Sequence, residues 1–557
     1  MKKSRLGAAA VSVTALALVL TACGGSSGGS SAGGSSAAAS SAPAATGGTF
    51  SVASEEPQNL ISSNCYDLYC ANVLNMMYTG LFRFETTPEG TVIPVTTELV
   101  ESITTADGGT TWSIKLVDGW TFTNGEKITA QTFADTWNFS AYGDNGQQLG
   151  FVFGSSQLNV VGYDEVAANK AKTMSGLTVA GPLELQMKLV SPLGEGIFYN
   201  FLAGPQIFPM PSVALTDVEA FNKNPIGNGQ YMMNTPWVPN QKIVIDKNPN
   251  YLGTPGNADS IEFRIYNDTT AEWADLQANN VDVVPMIPQA ALSTAATVLG
   301  DRFVNLPGAL SFSYSFFPLQ SSTFAKKEVR QAIAKAINMD QINEKLLFNT
   351  QTKATAFAPS TIPGGGTDAC GDSCVYDPAA AKALLDSVGG IPGNKVQIAA
   401  LQGSPNTVAK AECDQIQTNL GVNCTLKLFP DFGALLDAYA KITAADAGFI
   451  GGLGWGADNP TLQNMIAPLF GTDSPSNYIG YSNPKFDALI SEGNAAADTA
   501  TQIAKWQEAQ EVFYDDFAAY ATSWRNTTYG YSTNVSNVVV NPQGFINLDQ
   551  IQVLNQG

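Results

Sequence analysis

The cysteines are the residues whose type and spacing could do the most chemistry in this chain of 557 residues. In an exported protein, cysteines that lie close together in the sequence are expected to form disulfides, although the sequence alone does not fix their connectivity. We expect local pairing, in which each bridge closes a short loop and adds a few kcal/mol at most. A metal site is the alternative interpretation. The three close pairs are Cys65 with Cys70, Cys370 with Cys374, and Cys413 with Cys424.

The seventh cysteine, Cys23, ends a short hydrophobic leader. A basic start with three Lys or Arg residues precedes an apolar stretch of residues 8–20. A membrane-spanning helix needs about 20 apolar residues, so this segment predicts a cleaved export signal instead. Residues 20–23 (LTAC) resemble a bacterial lipobox, which implies removal of residues 1–22 and lipidation of Cys23. An ordinary signal followed by a chance cysteine is the alternative.

A tether follows the leader. Residues 23–48 are almost entirely Gly, Ser and Ala, a composition that cannot bury a core and behaves as a flexible coil. Its typical reach is roughly 25–30 Å. The remaining chain is too long for one small core, so we expect two or three compact units. No segment after the leader is long and apolar enough to span a membrane.

The composition excludes several classes of function. The chain has no histidine, which removes histidine-based general bases, Ser-His-Asp systems and most zinc or nickel sites. A carboxylate pair or a Ser-Lys pair remains possible, but no recognisable motif for either is present. The net charge is −20 and the leader contains no acid, so loss of its three basic residues leaves about −23. We therefore expect no cofactor and no nucleic-acid partner, since nucleic-acid binding depends on clustered Lys and Arg.

The hydrophobic periodicity predicts the elements that must position any site. Residues 49–54 alternate as a first strand, and residues 326–347 form the clearest helix, with its apolar residues on one face. Asp377 and Pro378 predict the start of another helix. Residues 396–429 then follow a strand–helix–strand order, which predicts an α/β lobe with a largely parallel sheet. In such a unit, the helix and the next strand could bring Cys413 and Cys424 together.

Seven short motifs, in order along the chain, resemble those of one family. It is the extracytoplasmic solute-binding proteins of peptide-type ABC transporters, the dipeptide- and oligopeptide-binding family (bacterial family 5). Each motif alone is weak, but all seven occur in the family's order. The motifs are residues 56–60 (EPQNL), 119–125 (GWTFTNG), 224–231 (NPIGNGQY), 248–251 (NPNY), 329–338 (VRQAIAKAIN), 454–458 (GWGAD) and 480–487 (GYSNPKFD).

The resemblance implies an α/β, two-lobed, periplasmic-binding-protein-like fold of the large type, with an extra N-terminal subdomain and a hinge. Closure around a ligand would then be driven by the ligand's contacts with both lobes. The implied boundaries are residues 49–80, 225–306 and 521–557 for the first lobe, 81–224 for the extra subdomain on it, and 307–520 for the second lobe.

The resemblance also implies where a peptide would bind. Gly454, Trp455 and Gly456 would supply backbone contacts, and Asp458 would pair with the free amino group of the peptide. Main-chain hydrogen bonds of this kind recognise any peptide backbone. The alternative for Asp458 is that it caps a turn or helix.

The family's opposite contacts correspond to the loop between Cys65 and Cys70. There the resemblance implies that Tyr66, Asp67 and Tyr69 face the ligand, on a loop that a disulfide would stiffen. A surface disulfide with buried tyrosines is the alternative. Trp524 is a further candidate for the cleft, although packing in the core is the alternative role that we favour for it.

The function that the resemblance implies is that of a lipid-anchored receptor, not an enzyme. It would act as a monomer that captures di- or oligopeptides outside the cytoplasmic membrane and delivers them to an ABC permease. No Arg or Lys can be assigned to the ligand's carboxylate, so an oligosaccharide receptor of the same fold stays open. A lipid-anchored, carboxylate-dependent hydrolase and a sensory or adhesive surface protein are alternatives from other classes.

Overall fold

The computed structural model describes residues 47–155, 157–474 and 476–554. Cys23, the leader and nearly all of the tether lie outside the described residues. The strands are β1 (Thr49–Ser54), β2 (Phe82–Thr86), β3 (Val92–Thr96), β4 (Val100–Thr105), β5 (Thr111–Leu116), β6 (Leu177–Gly181), β7 (Glu184–Lys188), β8 (Tyr231–Met232), β9 (Lys242–Lys247), β10 (Ser260–Ile265), β11 (Val283–Val284), β12 (Phe303–Leu306), β13 (Ser311–Phe316), β14 (Gln351–Lys353), β15 (Lys395–Leu401), β16 (Asn423–Phe429), β17 (Gly451–Gly456), β18 (Ala519–Arg525), β19 (Thr527–Tyr531), β20 (Val535–Ser536) and β21 (Gln552–Val553). The α-helices are α1 (Leu68–Met77), α2 (Ala130–Ala141), α3 (Gly150–Phe153), α4 (Tyr163–Ala167), α5 (Glu195–Phe201), α6 (Val218–Lys223), α7 (Thr269–Gln277), α8 (Leu292–Leu299), α9 (Lys327–Lys335), α10 (Met339–Leu346), α11 (Pro378–Ser387), α12 (Thr407–Leu420), α13 (Phe432–Ala440), α14 (Leu462–Phe470), α15 (Pro484–Ala495) and α16 (Thr499–Asp516).

A seven-stranded mixed sheet brings the two ends of the described chain together. Its strand order is β12-β19-β11-β1-β10-β9-β8, with β1 parallel to both β10 and β11. Strand β10 alternates as a half-buried strand must, because Ile261, Phe263 and Ile265 point into the core. The strand predicted at residues 49–54 is confirmed as β1.

A second sheet has four antiparallel strands, in the order β14-β18-β13-β17. The predicted largely parallel sheet is therefore wrong for this part of the chain. Parallel pairing is confined there to β15 and β16, together with a bridge from Ile398 to Ile450. The boundary predicted between residues 520 and 521 falls inside β18, so one continuous strand crosses it.

The unit formed by β15, α12 and β16 matches its prediction. The two strands pair with each other in parallel. Helix α12 connects them in the sequence, and its Cys413 is buried. The Asp377 side chain accepts a hydrogen bond from the Ala380 N–H and so caps α11 as expected. The three predicted disulfides, Cys65–Cys70, Cys370–Cys374 and Cys413–Cys424, are all formed.

The single long helix predicted for residues 326–347 is wrong, because two helices occupy that range. Helix α9 ends at Lys335, and Asn338 has a non-helical backbone with φ −90° and ψ 89°. The side chain of Asn338 accepts from the Gln341 N–H at 3.0 Å and caps α10. A capping residue inside an apolar periodic stretch therefore separates the helices.

The extra N-terminal region carries its own four-stranded antiparallel sheet, in the order β4-β5-β7-β6. Helix α2 begins after Thr129, because the Thr129 and Thr132 side chains cap each other's backbone N–H groups. Trp137 on this helix is fully buried, and its ring nitrogen donates to the Ile207 carbonyl at 3.0 Å. Among the residues that the structure describes, no helix combines the length and apolar character needed to cross a membrane.

Candidate functional site

A cavity with a volume of about 900 Å³ is open to solvent. Its walls come from both main sheets, because Asp458 follows β17 of the four-stranded sheet while Gln230 precedes β8 of the seven-stranded one. The lining segments are residues 65–86, 97–98, 151–152, 200–208, 230–254, 457–459 and 539–550, each contributing some of its residues, together with Gln157.

Asp458 faces this cavity directly after β17. Its backbone N–H donates to the Asn464 side-chain oxygen at 2.9 Å, and the Asn464 amide donates back to the Asp458 carboxylate at 3.3 Å. The residue is exposed towards the cavity, yet protein surrounds the rest of its carboxylate. This burial raises the pKa of Asp458, and the hydrogen bond from Asn464 opposes the rise. Thr461, not Asp458, caps α14.

Strand β17 is an edge strand. Among the residues that the structure describes, β17 lies at the end of its sheet and pairs with β13 along Gly451–Gly456, while the adjoining Ile450 bridges to Ile398 of β15. Gly452 and Gly456 are exposed, and a Cβ added to either would meet no atom within 4 Å. Beyond the bridge at Ile450, this side of β17 therefore has room for an added strand at Gly452 and Gly456.

The three residues predicted on β17 contribute in a different way from Asp458. Gly454, Trp455 and Gly456 do not line the cavity but lead directly into Ala457 and Asp458, which do. Trp455 is half-buried, and its ring nitrogen donates to the Asn464 carbonyl at 2.9 Å, so it holds the same residue that positions Asp458. Gly454 leaves space for the Arg525 guanidinium, which would lie 2.7 Å from an added Cβ.

Tyr66 and Asp67 both line the cavity, on the loop closed by the Cys65–Cys70 bridge. The Tyr66 hydroxyl donates to the Gln148 carbonyl at 2.5 Å. Burial raises the pKa of Tyr66, and charge interactions with Tyr163 and then Asp458 add to the rise. Asp67 caps α1 by accepting from the Cys70 N–H at 2.7 Å.

Tyr69 and Trp524 lie outside the lining. Burial raises the pKa of Tyr69, and Glu55 and Glu272 add to the rise. The acidic neighbours of Tyr69 are therefore these glutamates and not Asp458. Trp524 is half-buried in the four-stranded sheet, where its ring nitrogen donates to the Ala356 carbonyl at 2.9 Å. The structure thus brings Tyr66, Asp67 and Asp458 into one cavity, but not Tyr69 or Trp524.

Sequence reasoning missed a charged group on the same cavity. Arg83 on β2 lies in the lining with Glu85, Glu98 and Asp549. Its guanidinium contacts the Glu85 carboxylate at 2.7 Å and the Glu98 carboxylate at 3.2 Å. An arginine between two phenylalanines is an ordinary strand pattern, so no sequence signal could have distinguished it. Among the described residues there is no group of three or more candidate metal ligands.

Comparison with known proteins decides the family. A model described as bacterial extracellular solute-binding proteins, family 5 middle, matches residues 94–477, which is more than half of the chain. The chain belongs to this family. The resemblance drawn from the seven motifs is therefore confirmed.

Two curated relatives illustrate this family 5 similarity. The chain is 25% identical over 343 residues to the dipeptide-binding protein of Escherichia coli (strain K12). That alignment covers 60% of this chain and 62% of the relative, which is less than two thirds of the relative's length. It is 21% identical over 501 residues to the oligopeptide-binding protein OppA of Bacillus subtilis (strain 168), covering 87% of this chain and 89% of the relative.

Solved structures show the same fold. The unliganded open form of the periplasmic murein tripeptide binding protein MppA superposes with a TM-score of 0.78 at 19% identity. The superposition covers 92% of this chain and 98% of that one. The predicted two-lobed α/β fold of the periplasmic-binding-protein type is confirmed by these neighbours.

Proposed function

We propose that this family 5 protein is the lipid-anchored substrate-binding component of an ABC importer. It captures di- or oligopeptides by lobe closure and hands them to a membrane permease, and it carries out no chemistry on them. The observation that carries the proposal is Asp458, an acidic residue with a partly desolvated carboxylate just beyond the edge strand β17, facing a cavity of about 900 Å³. The names of the relatives, a dipeptide-binding and an oligopeptide-binding protein, support it.

Two kinds of contact would recognise a peptide at this site. The open edge of β17 would accept the peptide as an added strand, because main-chain hydrogen bonds fit any sequence. Asp458 would then receive the terminal ammonium, a charged hydrogen bond with a contribution of about 1.5–3 kcal/mol. Asn464 and Trp455 would act as positioning residues, since they hold the backbone and carboxylate of Asp458 in place.

The opposite wall would be supplied by Tyr66 and Asp67. Both stand on a loop that is closed by the Cys65–Cys70 bridge and held by the Tyr66–Gln148 hydrogen bond. Such a loop is already ordered before a ligand arrives, which reduces the entropic cost of binding. Tyr69, Gly454, Gly456 and Trp524 remain candidates that closure would have to bring to the ligand.

The proposed route begins outside the cytoplasmic membrane. Removal of residues 1–22 would leave Cys23 as the lipidated end, and residues 23–48 would let a monomeric body diffuse close to its permease. The family description, extracellular solute-binding proteins, supports an extracytoplasmic location. The open form of the MppA neighbour supports a resting state in which the cavity is accessible.

Calorimetric titration with pools of di- to pentapeptides and of oligosaccharides tests this function. We expect peptide binding, and we expect Asp458→Asn to weaken it by about tenfold or more, because the ammonium loses its charged partner. Asp437→Asn is the matched control, since this aspartate on α13 is highly exposed and pairs only with Lys441.

Two results would contradict the proposal. One is binding of sugars with no binding of peptides, which would favour an oligosaccharide receptor of the same fold. The other is peptide affinity that is equal in the wild type and in Asp458→Asn. Mass spectrometry of the recovered ligand provides a further check, since a hydrolase would return cleaved products.

A further inference from the structure

The charged residues that line the 900 Å³ cavity are almost all acidic. Five carboxylates face one guanidinium, and no lysine contributes to the lining. The whole chain has 48 acidic and 28 basic residues, so the lining is more acidic than the protein that surrounds it. The charged lining residues are Asp67, Arg83, Glu85, Glu98, Asp458 and Asp549.

The single guanidinium is already paired. Arg83 donates from Nε to Glu85 at 2.9 Å and contacts the Glu98 carboxylate at 3.2 Å. The cluster of Arg83, Glu85 and Glu98 has two negative charges and one positive charge, so its net charge is negative. Arg83 is therefore poorly placed to receive the carboxylate of a ligand, because an anion there would face Glu85 and Glu98 as well.

Asp549 is a further carboxylate of this lining. Burial raises the pKa of Asp549, and hydrogen bonds from the backbone N–H groups of Asp549 and Gln550, together with the charge of Arg83, oppose the rise. Among the described residues, no Lys or Arg nitrogen lies within 4.0 Å of its carboxylate. The ring of Tyr251, which also lines the cavity, adds an aromatic face to this part of the wall.

Asp458 and Asp549 both line the cavity but come from different parts of the chain. Asp458 follows the four-stranded sheet, whereas Asp549 lies beyond β19 in the segment that precedes β21. A neutral or anionic ligand enclosed between them would bury carboxylates without a counter-ion, which is strongly unfavourable. A ligand with a cation at each end would satisfy both.

We propose that the ligand is a basic peptide, whose terminal ammonium lies at Asp458 and whose Lys or Arg side chain lies against Asp549 and Tyr251. This proposal rests on the proposed function and specifies the class of peptide. Arg83 would keep Glu85 and Glu98 in place beside the cationic side chain, which would also gain from the aromatic face of Tyr251.

Titration of the full-length protein with matched peptides tests this specificity. The probes are tri- and pentapeptides that differ only in one side chain, which is lysine, norleucine or glutamate, together with spermidine as a cation that is not a peptide. We expect the lysine peptides to bind about tenfold or more tightly than the norleucine peptides, and the glutamate peptides to bind most weakly. The lysine preference should shrink as salt is added.

Two variants test whether Asp549 produces the preference for lysine peptides. Asp549→Asn should reduce the ratio of lysine to norleucine affinity by about tenfold, because the lysine peptide loses its counter-ion and the norleucine peptide no longer buries an unpaired carboxylate. Glu165→Gln is the control, because this exposed glutamate on α4 does not line the cavity, and it should leave the ratio unchanged. The comparison of peptides on the wild type stands even if Asp549→Asn does not fold.

The outcomes separate the two proposals. Equal affinity for lysine and norleucine peptides would overturn the basic-peptide proposal and leave peptide transport in place. A lysine preference that Asp549→Asn does not alter would overturn the assignment of Asp549. Binding of spermidine without binding of any peptide would contradict the transport of peptides and overturn this proposal with it.

Discussion

Glu412 shows how one buried carboxyl group couples the stability of this protein to pH. It lies on α12 with only 8% of its surface exposed, and burial raises its pKa to about 7. Tyr520 is the titratable group that faces it, and the charge of Glu412 adds to the raised pKa of that tyrosine. In the unfolded chain the same carboxyl group titrates near 4.5.

The sign of the effect follows from these two pKa values. Between about pH 4.5 and 7 the folded protein holds a proton that the unfolded chain has lost, so stability falls as the pH rises through this window. Glu412→Gln removes the ionisation but keeps the shape. We expect this variant to be more stable than the wild type by about 1–3 kcal/mol at about pH 8, and similar to it at about pH 5.

Thermal unfolding at both pH values checks this expectation. Asp414→Asn is the control on the same helix, because Asp414 is well exposed and its ion pair with Lys410 at 3.5 Å contributes little. An equal gain for Glu412→Gln at both pH values would show that packing, not ionisation, produces it. No gain at about pH 8 would show that the buried carboxyl group carries no penalty.

Strand β17 offers a matched pair of substitutions within a single element. A Cβ on Gly451 would lie 2.2 Å from the Phe316 ring, which is buried and packs on Tyr439 with 4.7 Å between centroids. A Cβ on Gly452 would meet nothing within 4 Å. We expect Gly451→Ala to lower the free energy of unfolding by about 1–3 kcal/mol, and Gly452→Ala to change it by less than about 0.5.

Denaturant unfolding of the two variants measures the difference. Neither glycine has a positive φ, so both substitutions test contact and not backbone strain. Equal stability of the two variants would show that the Phe316 ring can move aside at little cost, and it would contradict this expectation. If Gly452→Ala were the less stable variant, the space beside Gly452 on β17 would not be open, contrary to the structure.

Local signals in the sequence account for the elements that were predicted correctly. The Asp377 cap, the strand–helix–strand order of β15, α12 and β16, and the Cys413–Cys424 bridge depend on residues that are close in the sequence. The break between α9 and α10 was missed because the capping role of Asn338 depends on one backbone conformation that periodicity does not reveal.

Long-range pairing accounts for most of what the sequence could not predict. Strand β13 pairs with β17 and β18, which follow it by more than a hundred residues, and nothing in their local patterns states that they are antiparallel. The site divides in the same way. Asp458 was found through a motif, whereas Asp549 and Arg83 belong to no motif and meet only in the folded chain.

We expect the two lobes to close when a peptide binds. Asp458 follows the four-stranded sheet, while Gln230 and Tyr251 belong to the region of the seven-stranded one, so a peptide in the cavity would contact both parts. A ligand can shift an open state towards a closed one only by binding the closed state more tightly. We therefore expect the radius of gyration from small-angle scattering to decrease when a saturating basic peptide is added to the wild type.

The scattering measurement needs two controls. Asp458→Asn at the same peptide concentration should keep a larger fraction of the open form, because the peptide has lost one of its two anchors. A glutamate peptide should leave the wild type unchanged, since it binds weakly to an acidic lining. If calorimetry shows full occupancy by the basic peptide while the radius of gyration stays constant, binding does not close the lobes, and capture must occur on a rigid, open cavity.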